Sequence, residues 1–232
     1  MKLLAIDTSS LACSVALQSG GHIEERHEEQ EREHTRLLTP MIRDVLASSG
    51  AALADLDAIV LGNGPGSFIG MRIAASVAQG LAHGSGTLIV PVSSLAAVAA
   101  EIFATSDAAE VVVAQDAHMN EAYLGVFTRG QDDLPEERVP ERLQSQTRIE
   151  ELDEERSAPR VAAGFGWRRY PALLEVNRPV IGRFADVLYP RARFLLGLGK
   201  AGVRCGEAIE PEHLVPAYLR SKVAEKPRGV GS

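Results

Sequence analysis

Cysteine is nearly missing from this chain of 232 residues, with Cys13 and Cys205 the only two. That is too few for a disulfide framework or a zinc cluster, and the pair reads as thiols in a reducing compartment. Aromatic residues amount to only 5%, yet 45% of the chain is hydrophobic. This is the composition of an ordinary globular protein and excludes collagen-like, mucin-like and disordered classes. Positive charge is the scarcer sign: 24 Lys and Arg face 31 Asp and Glu, a formal net charge of -7. Broad electrostatic capture of nucleic acid is therefore not expected, although a local basic patch is compatible with it. A membrane-crossing run is also lacking, because Pro91, Ser93, Ser94 and Glu101 interrupt the best stretch, Leu88 to Ala104. Asp7 closes the first apolar run after four residues, too early for a signal peptide, so a cytoplasmic location is expected. The six histidines form no H-x-x-x-H or H-E-x-x-H pair, and no G-x-S-x-G occurs. A helix-borne metal site, a metallopeptidase and a serine nucleophile are thus unsupported.

What is present is a regular order of elements. Leu3 to Ile6 and Cys13 to Leu17 read as strands, and the Gly20-Gly21 turn leads to a third over His22 to Arg32. Six glutamates between 24 and 33 mark that third strand as a solvated sheet edge. The period then changes. Leu37, Leu38, Met41, Ile42, Val45 and Leu46 recur at helical spacing, with Thr35 or Thr39 as the expected cap beside Pro40. A strand over Ala58 to Leu61, a helix over Phe68 to His83, a strand over Thr87 to Val90 and a helix from Ser94 to Phe103 follow.

This β-β-β-α-β-α-β-α order is ribonuclease-H-like, and chains with that core often carry it twice. Val111 to Gln115 and Ala122 to Phe127 begin a second unit, followed by a strand at Val161 and a helix over Ala192 to Cys205. Residues 130–159 read as a loop-rich insertion, and the second unit as a reduced copy. The expected lobes are 1–105, with the docking helices, and 106–232. The end, 217–232, sets Arg220, Lys222, Lys226 and Arg228 against Glu225. It reads as a frayed terminus, or as an arm for RNA or a partner.

Two places could carry chemistry. The loop Gly62-Asn63-Gly64-Pro65-Gly66-Ser67 joins a strand to a helix, where glycines and a helix N-terminus can build an anion site. It lacks the Lys of a P-loop, and Pro65 removes a donor. Asp7, followed by Thr8, Ser9 and Ser10, stands where an actin-like kinase holds hydrated metal, with Asp116 its counterpart in the second half and Gly164 and Gly166 a possible remnant of a nucleoside turn. Asp7, Ser9, Gly64, Gly66 and Ser67 are the candidate nucleotide contacts, and an independent ATP-dependent kinase or ATPase is the alternative function. His34, among acids, reads as a surface or capping residue.

The helix from Phe68 is the most informative element. Arg72, Ser76, Gln79 and His83 form one narrow polar stripe, and Gly70, Ala74 and Ala78 form a small-residue ridge open to close helix approach. Such a pattern suits two helices closing over their own sheet. It also suits a docking face for another subunit, formed by Leu37, Leu38, Met41, Ile42 and Val45 on one helix and Phe68, Gly70, Met71, Arg72, Ala74, Ala75 and Ala78 on the other.

These residues resemble a known family. Ala5-Ile6-Asp7-Thr8-Ser9, Leu37-Leu38-Thr39-Pro40-Met41-Ile42, Gly64-Pro65-Gly66-Ser67-Phe68-x-Gly70-x-Arg72-Ile73, Pro91-Val92-Ser93-Ser94-Leu95 and Ala217-Tyr218-Leu219-Arg220 look like the TsaB (YeaZ) family. Its members serve bacterial tRNA threonylcarbamoyladenosine biosynthesis. Ile69 and His118 stand where the family usually has Thr and Arg. The resemblance implies an α/β actin-like (ASKHA) fold of two lobes and a non-catalytic partner of the transferase paralogue TsaD, which acts on A37 of tRNAs reading ANN codons. It also implies a ternary complex with the ATPase TsaE, a homodimer when alone, and contact with tRNA through the complex. No cofactor is expected to be bound firmly by this chain, with ATP or ADP and Mg only at the complex level.

Overall fold

The computed structural model describes residues 1–152 and 160–220. Strands β1 (Lys2–Asp7), β2 (Ala12–Ser19) and β3 (His22–Glu29) form an antiparallel meander. Helix α1 (His34–Ser48), β4 (Ala58–Gly62), α2 (Phe68–Ser85) and β5 (Ile89–Val92) complete a five-stranded sheet of order β3-β2-β1-β4-β5. Both β1/β4 and β4/β5 are parallel. Helix α3 (Ser94–Thr105) then leads to β6 (Glu110–Asp116), β7 (Glu121–Arg129), β8 (Pro135–Ser145) and β9 (Val161–Ala163). The short helices α4 (Gly166–Arg169) and α5 (Pro171–Asn177), β10 (Arg183–Phe184) and α6 (Ala192–Cys205) finish the chain's regular structure. The second sheet has the order β10-β9-β6-β7-β8, the same path as the first. The second unit keeps all five strands, with only its parallel strands β9 and β10 cut to three and two residues.

Strand β8 corrects the expected loop-rich insertion. Its run Pro-Glu-Glu-Arg-Val-Pro-Glu-Arg is too charged to read as a strand, but β8 is an edge, where charge resists further pairing. Val139 and Gln144 face inward, while Arg138 reaches Glu110 at 2.9 Å and Arg142 pairs with Glu151. Residues 153–159 lie outside the described part.

Side chains alternate between the faces of β1. Leu4 and Ile6 pack under α1 and α2, whereas Leu3 and Ala5 pack against Leu195 and Leu196 of α6. Helix α3 covers the other sheet, with Leu95, Val98, Ile102 and Phe103 against Val111, Val113 and Phe127. Chain order and layer therefore part company. α3, inside the expected lobe 1–105, roofs the second sheet, and α6, inside 106–232, roofs the first. Gly199 and Gly202 allow this, because a Cβ at either would run into Val60 or Val90. The outer face of the second sheet is closed by Trp167, Tyr170 and Leu173 of the α4–α5 region.

Helix α1 begins at His34 after Glu33, without a side-chain cap, and Pro40 lies inside it. The expected Thr35 or Thr39 cap is thus not formed. α2 starts as read, with the Ser67 hydroxyl accepting from Gly70 N at 3.2 Å, and ends at Gly86 in the left-handed region. α3 also starts with a serine cap, Ser93 accepting from Ala96 N.

Candidate functional site

The glycine loop after β4 is clamped onto the turn after β1. Ser67 N donates to Ser9 O at 2.6 Å, and the Thr8 hydroxyl donates to Gly70 O at 2.7 Å. A Cβ at Gly66 would strike the Ser9 carbonyl, and one at Gly70 the Thr8 carbonyl. These glycines therefore serve close backbone approach within the chain. Several of the loop's donors are engaged as well: Asn63 N bonds Val92 O, Gly64 N bonds the Ser94 hydroxyl at 3.1 Å, and Gly70 N bonds the Ser67 hydroxyl. Those amides are turned into the chain and are not offered to a phosphate.

Asp7 is equally enclosed at 1% exposure. One carboxyl oxygen accepts from the backbone and hydroxyl of Ser9, both at 2.8 Å, and the other accepts from the Ser94 hydroxyl at 2.6 Å. Burial pushes its pKa up to about 6, against the pull of those hydrogen bonds. Gly62 beneath it leaves no room for a Cβ. Of the five candidate nucleotide contacts, Ser9 and Ser67 line the cleft between the lobes, whereas Asp7, Gly64 and Gly66 do not.

The cleft has a volume of about 540 Å³. The turn after β1 and the first turns of α1 and α2 form one side, and the end of β6 with Phe165 and Tyr189 forms the other. Asp116 ends β6 as Asp7 ends β1. It accepts from the Tyr170 hydroxyl and from His118 N at 2.8 Å. Gly164 and Gly166 press on the backbone of Ala114, so their bareness, like that of Gly66 and Gly70, is used inside the fold. His34, read as a surface or capping residue, is 8% exposed, its Nε2 bonded to Ser10 O at 3.0 Å. The signal was in the spacing, since His34 precedes Leu38 and Met41 on the same buried stripe.

The two-helix flank is rearranged relative to expectation. Leu38, Met41, Ile42 and Val45 of α1 are buried in the chain's own core. Gly70, Met71, Ala74, Ala75 and Ala78 of α2 are buried as well. The small-residue ridge thus serves packing within this chain, as a wide apolar stripe does on any helix laid on a sheet. Leu37 and Phe68 are half-buried, and Arg72 is exposed but occupied. Its guanidinium lies 3.6 Å over the Phe68 ring and donates to the Tyr218 hydroxyl at 2.9 Å.

The polar stripe of α2 proves to be a seat for the chain's C-terminal segment. Gln79 donates to Pro211 O at 2.8 Å, Asn63 to Val215 O at 3.0 Å, and Arg220 reaches Ala117 O and Glu121 on the second lobe. Residues 217–220 are therefore a strap across both lobes rather than a frayed end, and 221–232 of the expected basic tail lie outside the described residues. What α2 leaves exposed is Ile69, 70% exposed at the rim of the cleft, which Ile73 also lines, with Ser76 and Gly80 exposed and Val77 half-buried farther along the helix.

Comparison with known proteins places this geometry. Residues 22–186 match the family model described as TsaD: tRNA N6-adenosine threonylcarbamoyltransferase. The tRNA threonylcarbamoyladenosine biosynthesis protein TsaB of Escherichia coli K12 is 36% identical over 226 residues, covering 97% of each chain. Its Haemophilus influenzae counterpart is 38% identical over 234 residues, covering 97% of this chain and 96% of the relative. A Pseudomonas aeruginosa structure described as YeaZ superposes with a TM-score of 0.83 at 35% identity, covering 94% of this chain and 99% of that one. A second structure from that organism, described as similar to peptidase YeaZ, gives 0.85 at 36% identity, with the same coverage.

Proposed function

The chain belongs to the TsaB (YeaZ) family, with a role in tRNA threonylcarbamoyladenosine biosynthesis, and from that premise we propose that it is a non-catalytic subunit that docks on and activates the paralogue TsaD. The reaction served is formation of N6-threonylcarbamoyladenosine at position 37 of tRNAs reading ANN codons. TsaE joins as a third subunit, tRNA is met through the complex, and the chain pairs with itself when alone in the cytoplasm. ATP or ADP and Mg belong to the complex and are not held firmly by this chain.

The observation that carries the reading is the outward flank of α2. An isoleucine 70% exposed among small and half-buried apolar residues is what a helix offers to another helix, and not what water selects. The bonded amides of Gly64, Ser67 and Gly70 and the enclosed Asp7 support the non-catalytic half of the reading over the ATPase alternative. Gly70→Leu or Ala74→Arg would break this chain's own packing, so Ile69→Asp is the informative change. Reconstituted tRNA modification with the threonylcarbamoyl-adenylate donor, TsaD, TsaE and this chain, its Ile69→Asp variant or neither tests it. Loss of modification with the variant or without the chain is expected, and full modification in its absence would refute the role.

A further inference from the structure

We infer that Arg72 and the C-terminal strap beside it form a seat for a segment of the docked paralogue that carries a carboxylate among apolar side chains. The inference rests on the partner reading and gives that contact its chemistry.

Arg72 is exposed, yet its guanidinium is already placed. Phe68, four residues earlier and so on the same side of α2, lies under it with 3.6 Å from the guanidinium carbon to the ring centre. The Tyr218 ring stands 5.6 Å from that carbon, and its hydroxyl accepts from Arg72 Nε at 2.9 Å. The two rings also touch each other, with centroids 5.3 Å apart. Nε and one face of the guanidinium are thus engaged, while its two terminal nitrogens have no hydrogen-bond or ion-pair partner among the described residues. An arginine normally loses rotamer freedom when an anion captures it. Here the two rings have already restricted it, so a carboxylate meets a prepared pair of donors.

The surroundings decide which kind of anion fits. Ile69, Val215, Tyr218 and Leu219 are four of the eight large apolar side chains exposed among the described residues, and all lie on the first turn of α2 or on the C-terminal segment laid beside it. Ile69 and Ser76 are three and four residues from Arg72, so the seat continues the exposed side of the helix. Arg220, the other strap cation in the described residues, is occupied by Ala117 O and Glu121. A phosphate backbone is met by several basic side chains in polar surroundings. One arginine and one tyrosine among exposed apolar side chains have the composition of a protein–protein hot spot. In a chain of net charge -7, an unpaired positive point also fixes where an acidic partner group can settle.

The test is calorimetric titration of TsaD into the full chain and its variants, at about 50 and about 300 mM salt. Arg72→Gln should weaken binding about tenfold or more at the lower salt, and its affinity should depend less on salt than that of wild type. Arg72→Lys keeps the charge without the flat fork and should recover only part of the affinity. Tyr218→Leu removes the strap's ring and hydroxyl but leaves the charge, and should weaken binding about fivefold. Circular-dichroism melts identify the variants that fold, and Arg72→Lys decides if Arg72→Gln does not. Wild-type affinity in the folded Arg72 variants or in Tyr218→Leu, or a salt dependence in Arg72→Gln equal to that of wild type, overturns the seat and leaves the partner reading standing. Wild-type protein that does not bind TsaD overturns both. Unchanged TsaD affinity in Arg72→Gln together with weaker tRNA binding by the assembled complex overturns the seat in favour of a phosphate contact.

Discussion

Ile69 and Gly70 are neighbours in the first turn of α2, and changing each separates docking from folding. Ile69 is 70% exposed, so Ile69→Asp alters the stability of the isolated chain by no more than about 0.5 kcal/mol. Covered by a docked paralogue, the same side chain contributes about 1.5–3 kcal/mol of apolar burial, and a carboxylate in its place adds a desolvation cost. At about 1.4 kcal/mol per tenfold, the affinity for TsaD should fall about 100-fold. Gly70 reverses the pattern. Glycine to alanine inside a helix normally gains about 1 kcal/mol. Here the added Cβ would strike the Thr8 carbonyl, at a junction fixed by the 2.6 Å Ser67–Ser9 and 2.7 Å Thr8–Gly70 hydrogen bonds. Neither backbone can retreat without breaking those bonds, so Gly70→Ala should lose about 3 kcal/mol or more. Urea unfolding of each variant, then calorimetric titration with TsaD, reads both effects. An Ile69→Asp chain that binds with wild-type affinity refutes the flank as docking face, and a Gly70→Ala chain with an unchanged midpoint refutes the clamp.

Asp7 should make stability fall as pH rises. Its carboxyl, held at about 6 in the fold against an ordinary 3.8, binds its proton more tightly folded than unfolded. Stability therefore declines between roughly pH 4 and 6 and then levels off, and Asp7→Asn should recover up to about 3 kcal/mol at neutral pH. Parallel melting curves for the two proteins from pH 4 to 8 would contradict this. Glu141, pushed by burial to about 7 beside the Ser93 hydroxyl, acts in the same direction over the window from 4.5 to 7. Glu141→Gln should flatten that part of the profile. Arg220→Ala should free the strap, so that limited proteolysis cuts between Leu214 and Arg220 faster than in wild type while the melting midpoint moves by about 1 kcal/mol or less. Equal cleavage rates would show that the ion pair with Glu121 does not hold it. Gly199→Val should destabilise the fold by about 3 kcal/mol or more by forcing α6 off Val60, and an unchanged urea midpoint would refute that contact.

Much of the first lobe was legible because its patterns are local. The apolar run ending at Asp7, the helical spacing from Leu37 to Val45, and the helix starts at Phe68 and Ser94 each depend on a few adjacent residues. What escaped is non-local. The charged strand β8 is stabilised by Glu110, far away in sequence, and α6 takes its place through glycines facing Val60 and Val90. The candidate site suffered from the same limit. Apolar spacing on α1 and α2 shows that a face is buried but not what buries it. The ridge read as a docking face covers the chain's own sheet, and the exposed residue is Ile69. Asp7 and the glycine loop kept the residue types of an anion site, while their donors and acceptors turned on one another, which no motif spells out.

The crossing of α3 and α6 has a consequence for biosynthesis. A ribosome that has just extruded the first 105 residues has made one sheet whose inner face is still bare, together with a helix whose proper seat does not yet exist. Neither portion severed at that point would hold together by itself, and mixing the two fragments should restore a native particle where each alone aggregates.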